Sequence, residues 1–192
     1  MKPTPHFLIF DGFADWEASY ATAELRRSAG LEVVTVGYSG EPVVSMGGLS
    51  VLPDFDLVEI DPEQVRILIL PGGNLWEQKP LDEGLAALLH KLTAARTPIA
   101  AICAATTGVA RAGLLMGRKH TSNGLDYLKR QVLDYAEEAS YLDTLAVRAH
   151  GLITASGLGA IEFAREIFAE LGVFSKEDLE LWYRMFKTGK TE

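Results

Sequence analysis

The chain has 192 residues, of which 48% are hydrophobic and 23% charged, with a formal net charge of -8. Such a length and composition fit one compact globular domain, residues 1–192, and lie far from the low-hydrophobicity regime of disordered chains. The acidic balance argues against nucleic acid and against an anionic membrane surface as partners, because phosphate binding needs a concentrated basic face.

Cys103 is the only cysteine, so no internal disulfide forms and the fold suits a reducing compartment. A cytoplasmic location is expected. The first apolar run, Phe7-Leu8-Ile9-Phe10, is too short for a signal peptide or a spanning helix.

Apolar runs at residues 7–10, 31–36, 65–70 and 99–103 alternate with stretches of helical period at residues 16–29 and 81–95. That alternation predicts βαβ units around a mostly parallel sheet, and unbroken apolarity suits strands covered on both faces. In the second helix Leu81, Leu85, Leu88, Leu89 and Leu92 make one stripe. Residues 43–54, with Gly47-Gly48 at their centre, and the hairpin-like pair 145–149 and 152–155 around His150-Gly151 are expected as edge or inserted β elements. Helices at residues 160–171, stopped by Gly172, and 176–186 close the chain. Leu179, Trp182, Tyr183 and Phe186 stand at helical spacing and read as core.

Residues 98–108 pass from an apolar strand into a small-residue helix start with no loop between, and Cys103 stands at the change. A residue at such a turn is raised above the sheet edge, into the crevice where open α/β sheets bind ligands. A helix from Ala104 through Val109, Ala110 and Leu114 would direct N–H groups at the sulfur and lower its pKa. The same pattern also fits an inert, buried thiol. Residues 66–74 end a buried strand in Pro71-Gly72-Gly73, where backbone N–H groups can approach a bound atom, so Gly73 and Ala104 are candidate oxyanion donors, although the segment by itself favours an ordinary glycine turn. In residues 11–17 Asp15 is a candidate helix cap, and Glu17 either reaches the crevice or is a solvated first-turn acid.

Pro71-Gly72-Gly73-Asn74-Leu75, Ile99-Ala100-Ala101-Ile102-Cys103-Ala104, the early Glu17 and Gly151-Leu152-Ile153-Thr154-Ala155-Ser156-Gly157 with Glu162-Phe163-Ala164 occur in a telling order. Together they resemble the PfpI-type intracellular peptidase and Parkinson-associated deglycase superfamily. The resemblance implies a flavodoxin-like three-layer α/β/α sandwich related to class I glutamine amidotransferase domains, and a homodimer. It also implies Cys103 as nucleophile, Glu17 as the acid beside the sulfur, and Gly73 and Ala104 as oxyanion donors.

One position departs from that family. Many members carry a His beside the cysteine, and the aligned residue here is Asn123 in His120-Thr121-Ser122-Asn123. An amide neither takes nor gives a proton near neutral pH, so an efficient peptidase is not expected and Asn123 is assigned to orienting substrate or water. His120, three residues away on a presumed strand, would face the other side, and His6, His90 and His150 are scattered. Four scattered histidines and one cysteine make no metal cluster, and Gly157-Leu158-Gly159 lacks the rest of a nucleotide fingerprint, so neither metal nor cofactor is expected. The expected activity is that of a cysteine-centred hydrolase or lyase acting on a small carbonyl, amide or related electrophile. The rival expectation is a stress-responsive protein in which Cys103 senses oxidants without turnover.

Overall fold

The computed structural model describes residues 2–191. In chain order its elements are β1 (Thr4–Leu8), α1 (Ser19–Arg27), β2 (Val34–Gly37), β3 (Val43–Val44), β4 (Ser50–Val51), β5 (Phe55–Asp56), β6 (Val65–Leu70) and α2 (Leu75–Gln78). They continue with α3 (Glu83–Ala94), β7 (Ile99–Ile102), α4 (Ala105–Arg111), α5 (Leu125–Gln131), β8 (Ala146–Ala149), β9 (Leu152–Ala155), α6 (Ala160–Leu171) and α7 (Lys176–Thr188). Seven strands form one sheet in the order β5-β2-β1-β6-β7-β9-β8, in which only β8 runs antiparallel to its neighbour.

From β1 the chain steps to β2 on one side and later to β6 on the other. Right-handed crossovers in opposite directions place helices on opposite faces of a sheet. Accordingly α1 packs with α6, which also carries α7, while α2, α4 and α5 pack together and α3 lies against β7. The result is the three-layer, flavodoxin-like α/β/α sandwich. The central strands have no wet face: all of β7 and β9 is buried, and in β6 only Arg66 is partly exposed. Among the described residues no helix is long and apolar enough to cross a membrane.

Four expectations need correction. The hairpin of residues 145–155 is not wholly peripheral, because β9 pairs in parallel with β7 in the sheet interior and only β8 is the edge. Their turn places His150 at φ 52°. The first helix starts at Ser19 rather than at residue 16, so Glu17 lies in the turn before it. Asp15 does not cap that helix; its carboxylate accepts from the Ser45 hydroxyl and from the Gly47 N–H at 3.1 Å, pinning the β3–β4 ribbon beside β1. The fourth helix stops at Arg111, short of Leu114.

Candidate active site

Cys103 sits at the carboxyl end of β7 with φ 60°, a left-handed conformation that costs a side-chain-bearing residue of order 1–3 kcal/mol. The strain is held by the strand itself, since the Cys103 N–H still donates to Ala155 O at 2.8 Å while its carbonyl accepts from Thr106 N and Thr106 Oγ1 as α4 begins. Strand pairing and helix start thus meet within one residue, which turns the side chain out of the sheet. The site lies where the carboxyl ends of β1, β6 and β7 adjoin, beside the point at which strand order reverses.

Glu17 is almost wholly buried, at 1% exposure. Its Oε2 accepts from the Gly72 N–H at 2.6 Å, and its carboxyl also hydrogen-bonds the Cys103 thiol. Burial raises its pKa against the opposing pull of these bonds. Glycine is required at two neighbouring points. A Cβ on Gly72 would lie 2.6 Å from Glu17 Oε2 and 2.7 Å from Cys103 Cβ, and one on Gly157 would lie 2.9 Å from Cys103 Sγ.

Asn123 is also held against the sulfur. Thr121 N–H donates to Thr154 Oγ1 at 2.9 Å, and the Ser122 and Thr106 hydroxyls are 2.6 Å apart, so the loop is tied to β9 and to α4. Asn123 Oδ1 accepts from the Gly157 N–H at 2.9 Å, which turns its Nδ2 towards Cys103 Sγ at 3.2 Å. The residues from His120 to Asn123 form no strand beyond an isolated bridge from His120 to Tyr141. His120 is nevertheless remote from the chemistry: it is buried, with Nδ1 on Arg118 O and Nε2 on the Tyr135 hydroxyl. Burial lowers its pKa.

The thiol does not behave as the helix start alone suggests. The Ala104 N–H and the Asn123 amide favour the thiolate, yet burial and the adjacent Glu17 outweigh them and push the Cys103 pKa up to about 11. Desolvating a thiolate next to a carboxylate costs more than one short helix returns. Cys103 and Glu17 therefore hold at least one proton between them at neutral pH.

Gly73, at φ 150°, leaves no room for a Cβ beside the Phe10 ring and Gly12 O. Among the described residues neither its N–H nor that of Ala104 donates to a backbone carbonyl. Both residues line a small pocket of about 90 Å³ with Ala14, Trp16, Glu17, Met46, Asn74, Glu77 and Cys103. Gly157, Glu77 and Tyr127 went unrecognised in the sequence. The Tyr127 hydroxyl donates to Glu77 Oε1 at 2.7 Å and also meets the Asn123 amide. Among the described residues no three His, Cys, Asp or Glu side chains converge as metal ligands.

A parallel sheet with a strained cysteine at a strand-to-helix elbow, a buried glutamate on its sulfur and glycine N–H groups alongside defines a class of cysteine-centred α/β proteins. Within it, the chain belongs to the DJ-1/PfpI family, whose profile matches residues 6–170. It is 39% identical to "Uncharacterized protease YoaZ" of Bacillus subtilis, over 97% of this chain and 92% of that protein. Deglycase TK1284 of Thermococcus kodakarensis is 33% identical over 60% of this chain and 69% of its own length. The crystal structure of the thiJ/pfpI family protein from Bacillus anthracis superposes with a TM-score of 0.90 at 36% identity, covering 99% of this chain and 92% of that one.

Proposed function

We propose that the protein is a cysteine-dependent hydrolase or lyase acting on a small carbonyl, amide or related electrophile. The observation that carries this reading is the strained Cys103 with both the Glu17 carboxyl and the Asn123 amide on its sulfur, beside a pocket that Gly73 and Ala104 line. As sulfur bonds to the electrophilic carbon, its proton passes to Glu17, and the carbonyl π pair moves onto oxygen, where the two N–H groups can receive it. Glu17 then returns the proton to that oxygen or to a departing atom. A base with a raised pKa suits this exchange near neutral pH. Asn123 holds the sulfur and orients substrate or water without titrating.

The same arrangement argues against efficient peptide cleavage, since among the described residues Glu17 is the one proton carrier on the sulfur and a leaving amine needs a timely proton. It also disfavours oxidant sensing, because a thiol held protonated reacts slowly with peroxide. Relatives named as deglycases and proteases support catalysis at the equivalent cysteine. Strands from residues 4 to 155 in one sheet support one domain, and the lone cysteine supports a cytoplasmic setting. A homodimer is supported by the exposed apolar side chains Val44, Leu49 and Leu52 of the β3–β4 ribbon; light scattering showing only monomer at micromolar concentration would remove it.

The test is a screen of amides, aldehydes and isocyanides with the native chain, Cys103→Ala and Glu17→Gln. Turnover should vanish without Cys103 and fall at least about 10²-fold without the Glu17 proton carrier. No substrate turned over, or turnover unchanged in Cys103→Ala, would refute the reading.

A further inference from the structure

The pocket that Glu17 lines holds a second acid. Glu77 projects from α2, is exposed, and lines the same cavity as Cys103. It is fixed there by α5: Tyr127 donates its hydroxyl to Glu77 Oε1 at 2.7 Å although the two residues are 50 apart in sequence. Tyr127 in turn meets the Asn123 amide that touches the sulfur, so Glu77, Tyr127, Asn123 and Cys103 form one continuous line of contacts. Among the described residues no lysine, arginine or histidine lines this pocket, while Trp16, 51% exposed, offers an aromatic face.

We propose that Glu77 is a specificity-determining residue, whose carboxylate, anchored by Tyr127, makes the Cys103 pocket prefer electrophiles bearing a cationic group and reject anionic ones. An anion entering beside Glu77 meets repulsion with no compensating cation, whereas an ammonium group gains both the carboxylate and the Trp16 face. Tyr127 matters because a freely rotating glutamate on a four-residue helix would spread its charge into solvent. The proposal rests on Cys103 being the reacting atom, but not on turnover.

Charged methanethiosulfonates test it. The sulfur of Cys103 attacks the sulfenyl sulfur, the mixed disulfide forms, methanesulfinate leaves, and the thiol proton goes to Glu17 or solvent. With one cysteine in the chain, intact mass reports the rate at this site alone. The rates of the trimethylammonium-ethyl and sulfonatoethyl reagents are each divided by their rates with 2-mercaptoethanol, and the cation-to-anion ratio is taken. The native ratio should exceed one. Glu77→Gln should lower it about tenfold, Glu77→Lys should invert it, and Glu77→Asp should retain most of it. Glu63→Gln, the same charge change beside the amino end of β6, should leave the ratio unchanged.

A general loosening of the site would move both rates together and leave the ratio alone. A ratio indifferent to Glu77→Gln and Glu77→Lys would overturn the proposal and reduce the Tyr127 bond to a tie between helices. Failure of both reagents to label the folded chain would overturn it too, by showing that the pocket admits no ligand. A charge-selective thiol in a protein with no turnover would leave it standing while refuting the enzymatic function.

Discussion

Asn123 donates its amide Nδ2 to Cys103 Sγ at 3.2 Å, and its orientation is set because Oδ1 is engaged by the Gly157 N–H at 2.9 Å. An amide held this way gives the sulfur a permanent donor whatever the pH. Replacing Asn123 by Asp keeps the shape and the Gly157 bond but turns an acceptor towards the sulfur. Iodoacetamide labelling of Cys103 at pH 8, followed by intact mass, should slow at least about tenfold in Asn123→Asp and less in Asn123→Ala. Equal rates in the three proteins would mean that the amide does not govern the thiol.

Glu17 and Cys103 make the second prediction one of pH. The thiol is pushed up from 9.0 to about 11 by burial first and Glu17 second, so in Glu17→Gln the midpoint of the alkylation profile should fall back towards 9. The folded chain holds this proton more tightly than the unfolded chain does. The stability arising from that difference is complete below about pH 9 and is lost as pH rises to about 11. Thermal melts should therefore decline more steeply over that interval in the native protein than in Cys103→Ala, and parallel declines would contradict the raised pKa. Glu17 follows the same sign at lower pH: its raised pKa contributes stability that disappears as the carboxyl ionises in the folded state.

What could be read from the sequence depended on whether the signal was local. The unbroken apolar runs of β6 and β7 report burial on both faces directly, and the switch from Ile102 to Ala104 reports the elbow. Glu17 rested on family resemblance, since an acid after a first strand is ambiguous by itself. The interior place of β9 was hidden because a hairpin reads the same whichever arm joins the sheet; only its fully buried Leu152–Ala155, against the alternation of β8, reveals it. The thiol was misjudged because a helix start is visible in sequence, whereas desolvation and the approach of Glu17 from 86 residues away are not. Glu77 and Tyr127 carry no local pattern at all, and meet only because the fold brings α2 and α5 together.

Gly157 supplies a third prediction, in which reactivity and stability part company. Its φ is not in the left-handed range, so alanine fits the backbone, but the new Cβ would stand 2.9 Å from Sγ and 3.2 Å from Glu17 Oε1. Gly157→Ala should slow Cys103 alkylation at least about tenfold while costing about 1–3 kcal/mol, the usual range for overpacking. Gly72→Ala clashes instead with Cys103 Cβ at 2.7 Å and with the Glu17 carboxyl, and should be the less stable of the two in urea melts. The reverse order of stability would show that the Gly72 loop yields more readily than the sulfur.

The final prediction uses Asn123 to ask whether peptidase-like chemistry is absent for want of one proton carrier. The position adjoins the sulfur, since the Asn123 amide already contacts Sγ at 3.2 Å. An imidazole there would take the thiol proton and pass it to a leaving group, steps an amide cannot perform; a missing shuttle of this kind typically forfeits about 10²–10⁴-fold in rate. The native protein should hydrolyse activated esters and peptides poorly, and Asn123→His should raise ester hydrolysis at least about tenfold, with a pH profile that gains an inflection in the imidazole range. The double variant Asn123→His with Cys103→Ser separates a gain that needs the thiol from imidazole acting alone, and should lose most of the increase. Strong peptidase activity in the native chain would show that Glu17 suffices as the shuttle, and an Asn123→His protein no faster than its parent would show that proton transfer at this position does not limit the reaction.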